Sequence, residues 1–114
     1  MSTEDLGVTG CCTVYVTASS DDEAATIARV LVTERLVACA NLVLGVRSLY
    51  WWKGEVQDDR EVLILCKTRA VLIDRVIARV KEIHSYACPC VVALPIVAGN
   101  PGYLDWIAAE TGEK

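Results

Sequence analysis

The stretch from Cys39 to Lys67 constrains this chain more than any other. Two long strand-like segments flank Lys53-Gly54, and three consecutive aromatics, Tyr50, Trp51 and Trp52, stand just before that turn. A glycine there supplies the positive φ that a tight hairpin demands, so the segment predicts one long β-hairpin. Successive strand residues point to opposite faces, and three aromatics in a row therefore place large rings on both sides of the arm. An arm that is apolar on both faces is best covered by another copy of the chain. The composition points the same way: 54% of the 114 residues are hydrophobic and mean hydropathy is +0.37. That is more apolar surface than one core of this size needs.

The flanking segments supply the remaining elements. Cys12 to Ser19 reads as a β-branched strand ending in Ser19-Ser20-Asp21-Asp22-Glu23, which opens a helix. Ser20 is expected to accept from the Glu23 amide while the Glu23 carboxylate reaches back, and the acids suit the positive end of the helix dipole. Ala24, Ile27, Ala28 and Leu31 recur at the spacing of a buried stripe, predicting a helix to about Leu36. A second helix is expected after Thr68, with Leu72, Ile73, Val76, Ile77, Val80 and Ile83 as its apolar stripe, stopping near His84. Cys90 to Val97 reads as a strand in which Pro95 marks a bulge or an edge. Asn100-Pro101 suits an N-cap and first helical position, opening a short helix through Tyr103, Leu104 and Ile107. The order predicts an α+β, ferredoxin-like βαββαβ sandwich with a long β-hairpin and a short C-terminal helix. Residues 1–11 are expected to be a disordered or loosely ordered N-terminus, and residues 12–114 a single domain.

The formal net charge of −4 and the pI near 4.9 argue against a nucleic-acid partner, which needs a basic face. No apolar run reaches the roughly 18 residues of a membrane span. Met1-Ser2-Thr3-Glu4-Asp5 carries acid where a secretory signal carries Lys or Arg, so a cytoplasmic location is expected. The six cysteines, several inside apolar runs, read as reduced thiols rather than a disulfide framework.

There is no Gly-rich phosphate loop, Cys-x-x-Cys, His-Glu-x-x-His or nucleophile-elbow pentapeptide, which points away from an enzyme. His84 is the single histidine, and both a helix-capping and a functional role are open to it. Candidate metal ligands are Cys39, His84, Cys88 and Cys90, with a purely structural role for the cysteines weighing more. Trp51 and Trp52 suit either ligand stacking or, more readily, an obligate interface. Lys67 follows an apolar run, where an ammonium wants an anionic partner unless it lies in water at the strand end.

Several pieces together resemble the CutA family, the divalent-cation tolerance proteins. They are Val16-Thr17-Ala18 before the acidic helix start, Glu34 to Asn41, Ser48-Leu49-Tyr50-Trp51-Trp52-Lys53-Gly54, Lys67-Thr68, His84-Ser85-Tyr86 ahead of Pro89, Ala93-Leu94-Pro95-Ile96, and Tyr103-Leu104-Asp105-Trp106. The resemblance implies a homotrimer, similar in architecture to the PII signalling trimers, with long arms extending each neighbour's sheet. It implies a link to copper and other divalent cations, and with the absent catalytic motifs the expectation is a non-enzymatic protein that binds copper, another divalent metal ion or a small ligand at clefts between subunits, with no metal required for folding. Cys39 and His84 match positions associated with metal, whereas Trp52, Lys67 and Tyr86 match residues near the cleft. Cys90 replaces a common glutamate, which would shift preference toward soft ions, and is taken as a third metal ligand. Ser85 replaces a common proline. A PII-like signalling or scaffold trimer docking on a protein partner is the alternative. An acylphosphatase-like hydrolase shares the fold, but acids in the loop Ala18-Ser19-Ser20-Asp21-Asp22 would repel phosphate.

Overall fold

Alternation along β1 (Cys11–Ala18) decides the layering. Val14, Val16 and Ala18 are fully buried, while Thr13 and Tyr15, pointing the other way, are partly exposed. In the computed structural model, which describes residues 9–112, β1 is central. It pairs antiparallel with β3 (Glu55–Arg69) on one side and β4 (Val91–Pro95) on the other, and β2 (Cys39–Trp52) lies beyond β3. The strand order is β2-β3-β1-β4. Helices α1 (Asp21–Thr33) and α2 (Ile73–Ile83) cover one face. There Ala24, Ile27, Leu31, Val76 and Val80 join Val14, Val16, Ile64 and Cys66 in a single core. This is the expected α+β architecture, and α3 (Pro101–Glu110) opens as expected, with Asn100 accepting from the Gly102 amide and Pro101 at the first turn.

Three boundaries differ for physical reasons. The apolar period through Leu36 predicted a longer α1, but the helix stops at Thr33 in a Schellman turn. The Leu36 amide donates to Leu31 O and the Arg35 amide to Val32 O, both at 3.0 Å, with Arg35 in the left-handed region at φ 60°. Leu36 is buried all the same, because the turn folds it back onto the core that holds Leu31. A non-glycine residue costs roughly 1 kcal/mol there. Offsetting that cost, the Arg35 guanidinium pairs with Glu110 at 3.1 Å and the Arg35 carbonyl accepts from the Gly112 amide, tying α1 to the end of α3. The second helix begins at Ile73, after a 3-10 turn over Ala70–Leu72, because β3 runs on to Arg69. Of the segment 1–11, residues 1–8 lie outside the described residues. Thr9 donates its hydroxyl to Ile96 O, Gly10 O accepts from the Ala70 amide, and Cys11 already belongs to β1.

The hairpin spans 14 residues of β2 and 15 of β3, closed by Lys53 at φ 50° and Gly54 at φ 79°. Positive φ at both positions is the geometry of a type I′ turn. The ladder carries one irregularity: Val43 faces Leu63 and Val46 faces Glu61, so Leu44 and Gly45 oppose Val62 alone. Gly45, at φ 76°, makes this bulge possible. Its effect is to change the phase of the arm. Ala40 and Leu42 face the helices, whereas Tyr50 and Trp52 lie on the opposite side, sharing it with Asp59 and Glu61.

The second sheet face is only partly covered. At its Arg69 end α3 packs down through Ile107, and Arg69 clamps Thr111. Elsewhere Val43, Val92 and Leu94 stay exposed, as do Leu49, Trp51, Trp52 and Val56 along the arm, Trp51 at 74%.

Candidate functional site

A polar cluster sits on the open face where β1 leaves the sheet and β4 enters it. Glu61 starts the buried part of β3 on this face, and only 7% of it is exposed. Its Oε2 accepts from the Tyr86 hydroxyl at 2.9 Å. Two residues along the same face, Asp59 accepts from the Tyr50 hydroxyl. Burial and the bond to Glu61 push the Tyr86 phenol far above its usual range, so it stays a donor. Cys90 lies against Thr17, and burial, then the Glu61 charge, raise its thiol despite a bond with Thr17.

His84 anchors the cluster from beneath. Its ring is fully covered. Nε2 lies 2.7 Å from the Thr17 carbonyl, to which it donates, and Nδ1 accepts from the Tyr86 amide at 3.0 Å. With these partners the Nε2 proton points at Thr17, and the ring packs on Tyr86 with centroids 4.6 Å apart. Both nitrogens are thereby engaged, and neither has a lone pair free for a metal.

Glu23 ties this corner to α1. Ser20 accepts from the Glu23 amide as the capping motif predicts, but the carboxylate reaches Ser19 rather than Ser20, and its other oxygen accepts from the Ser85 amide at 2.8 Å. Burial pushes this carboxyl up, yet bonds from Ser85 and Ser19 outweigh it and bring it from 4.5 down to about 2. A carboxyl depressed on folding contributes stability that is present above its unfolded value and lost as pH falls through the folded one. The urea midpoint of the wild type at fixed protein concentration is therefore expected to fall between pH 4.5 and about 2. Glu23→Gln should lack that component and be weaker by about 1–2 kcal/mol at neutral pH. Parallel pH profiles would contradict the assignment.

Cys39 and Lys67 occupy the other end of the open face, opposite each other in the ladder. The Lys67 ammonium donates to Asn41 Oδ1 at 2.8 Å, and the Cys39 sulfur lies 3.4 Å from the Tyr103 hydroxyl. Lys67 and Glu61 are six positions apart on β3, roughly 20 Å. Within one chain, then, Cys39 is remote from His84 and Cys90, and Lys67 is remote from Tyr86. Trp52 is farther still, at the arm's tip opposite Glu55. Among the described residues no three His, Cys, Asp or Glu side chains converge to hold a metal ion. Cys12 and Cys66 are core thiols, raised by burial to about 11 and about 12.

Sequence reasoning missed Glu61 and Asp59, and read Tyr50 only as one of the arm's aromatics. The signal was present: Glu61 immediately precedes the apolar run Val62-Leu63-Ile64-Leu65-Cys66 as Lys67 immediately follows it, and the criterion that singled out the lysine applies equally to the glutamate.

No described helix is long and apolar enough to cross a membrane. Residues 12–110 match the family described as "CutA1 divalent ion tolerance protein". A Thermus thermophilus protein, "Divalent-cation tolerance protein CutA", is 48% identical over 87% of this chain and 96% of its own length. The human "Protein CutA" is 39% identical over 85% of this chain, which spans 54% of that protein. Among solved structures, the Thermus thermophilus divalent cation tolerance protein superposes with a TM-score of 0.87 at 47% identity, covering 90% of this chain and 99% of that one. The structure described as CutA1 from Oryza sativa gives 0.88 at 42% identity, covering 91% and 95%. Sequence over residues 12–110 and fold over about 90% of the chain agree: the chain belongs to the CutA divalent-cation tolerance family.

Proposed function

We propose that this chain works as a homotrimer that binds copper, another divalent ion or a small ligand in the clefts between its subunits, without catalysing a reaction. The observation that carries this reading is the uncovered apolar surface, which runs from Val43, Val92 and Leu94 out along both faces of the arm to Trp51 and Trp52. Surface of that extent is the mark of an obligate interface. The family description supports the cation, and the two ends of the open face support its location. Each end holds one thiol of a donor set, Cys39 beside Lys67 at one and Cys90 beside Tyr86 and Glu61 at the other, and contact between neighbouring copies unites them. Thiols from two chains favour a soft or borderline ion. His84 positions Tyr86 in this scheme, its two ring nitrogens engaged by the Thr17 carbonyl and the Tyr86 amide.

Light scattering at micromolar concentration combined with calorimetry on reduced protein tests the proposal. A three-chain particle is expected, with zinc and copper(I) affinity falling in both Cys39→Ala and Cys90→Ala. A monomer, or affinity unchanged in both variants, would overturn it.

A further inference from the structure

The open face carries two charges of opposite sign, a buried carboxylate and a partly buried ammonium, that have no counter-charge among the described residues. The Glu61 carboxylate is 7% exposed, and its one side-chain hydrogen bond comes from the neutral Tyr86 hydroxyl. Among the described residues no Lys, Arg or His nitrogen lies within ion-pair distance of it. His84, the nearest imidazole in the cluster, directs its nitrogens to the Thr17 carbonyl and the Tyr86 amide, not to Glu61. The partly buried Lys67 ammonium has the neutral Asn41 as its side-chain partner and, among the described residues, no carboxylate within ion-pair distance. Arg35 and Arg79, also partly buried, are both paired with glutamates, and Arg69 makes two bonds to Thr111. Burying a charge with no partner is costly, and both sites sit on the face that is apolar and uncovered.

Six positions of an extended strand keep Glu61 and Lys67 roughly 20 Å apart, so they cannot meet within one chain. A closed ring of three identical chains sets one patch of each copy against a different patch of the next. Resting on the trimer proposed above, we propose that Glu61 of each chain forms an ion pair with Lys67 of its neighbour, and that these cross-chain pairs set the register of the assembly and build the floor of the ligand cleft. Charge complementarity selects a second copy as the occupant. The tyrosine and asparagine beside the two charges make the pair reversible, since a phenol and a carboxamide can each donate or accept. Because Cys39 lies opposite Lys67 in the ladder and Cys90 lies near Glu61, the same pairing brings those thiols toward one cleft.

Charge reversal tests it. Glu61→Lys and Lys67→Glu, followed by analytical ultracentrifugation across concentration, are each expected to weaken trimer formation on the order of a hundredfold. The double variant E61K/K67E is expected to recover most of that loss. Circular dichroism of each variant distinguishes dissociation from unfolding, and the double variant keeps the result interpretable where a single one folds poorly. A trimeric wild type whose double variant is no better than the worse single overturns the pair while leaving the trimer standing. A monomeric wild type overturns both. Zinc that stabilises metal-free wild type but not Glu61→Gln, without rescue by the double variant, would make the counter-charge a metal ion and also overturn the pair.

Discussion

At micromolar concentration the double variant W51E/W52E is expected to sediment as a single 12.4 kDa chain, and the wild type as a trimer. Trp51 and Trp52 are adjacent on β2, so they cover opposite sides of the arm and no single face accounts for both. Neither makes a contact that the monomer's core needs: Trp51 is 74% and Trp52 47% exposed, and the ladder that holds them is backbone. Truncating an aromatic anchor of an interface costs about 2 kcal/mol or more, and both together about 4, roughly a thousandfold in association. Charge on both sides adds desolvation to that loss. Circular dichroism should stay close to the wild type, because the core of Val14, Val16, Ile64 and Val76 is remote from the tip. A variant that remains trimeric at the same concentration would remove the arm from the interface.

The same residues show why the fold was legible and the site only partly so. Strand and helix types follow from local periods, and the capping serine, the Lys53-Gly54 turn and the Asn100-Pro101 start all act within a few residues. The phase of the arm does not. Alternation run unbroken from Ala40 and Leu42 places Tyr50 and Trp52 on the helix side, and only the extra residue absorbed at Leu44-Gly45 moves them beside Asp59 and Glu61. Gly45 was the single cue. The early end of α1 was hidden for a related reason: Leu36 keeps the apolar period although the chain has already turned, and the residue that turns it is an arginine rather than a glycine.

Site residues were harder to place, because their relation depends on register across the sheet and on contacts between copies. Cys39 and Lys67 fell together, and Cys90, Tyr86 and His84 fell together, but no local pattern tells that the two groups stand at opposite ends of one strand ladder. The lone histidine is the sharpest case. Its residue type suits a ligand, yet what it can do is decided by two backbone groups: the Thr17 carbonyl, remote in sequence, and the Tyr86 amide, two residues on.

His84→Ala is accordingly expected to cost stability in metal-free buffer, by about 3 kcal/mol. The ring fills space at 0% side-chain exposure, so its loss leaves a cavity under Tyr86. The Thr17 carbonyl, on a residue that is 8% exposed, loses its donor, and the Tyr86 amide loses its acceptor. For a domain of this size that corresponds to about 10 °C or more in Tm. The two possible roles of the ring predict opposite patterns. A ring that only ligates metal would leave the chelator-treated protein as stable as the wild type and change the metal-loaded form alone. A ring that holds Thr17 to Tyr86 lowers both forms, and it weakens ligand binding indirectly, by releasing the phenol that orients Glu61. Thermal unfolding of both proteins, each with chelator and with zinc, separates these cases. Equal melting of the two metal-free proteins would return His84 to the list of ligands, because a buried ring with two satisfied nitrogens cannot be removed from a packed corner without loss.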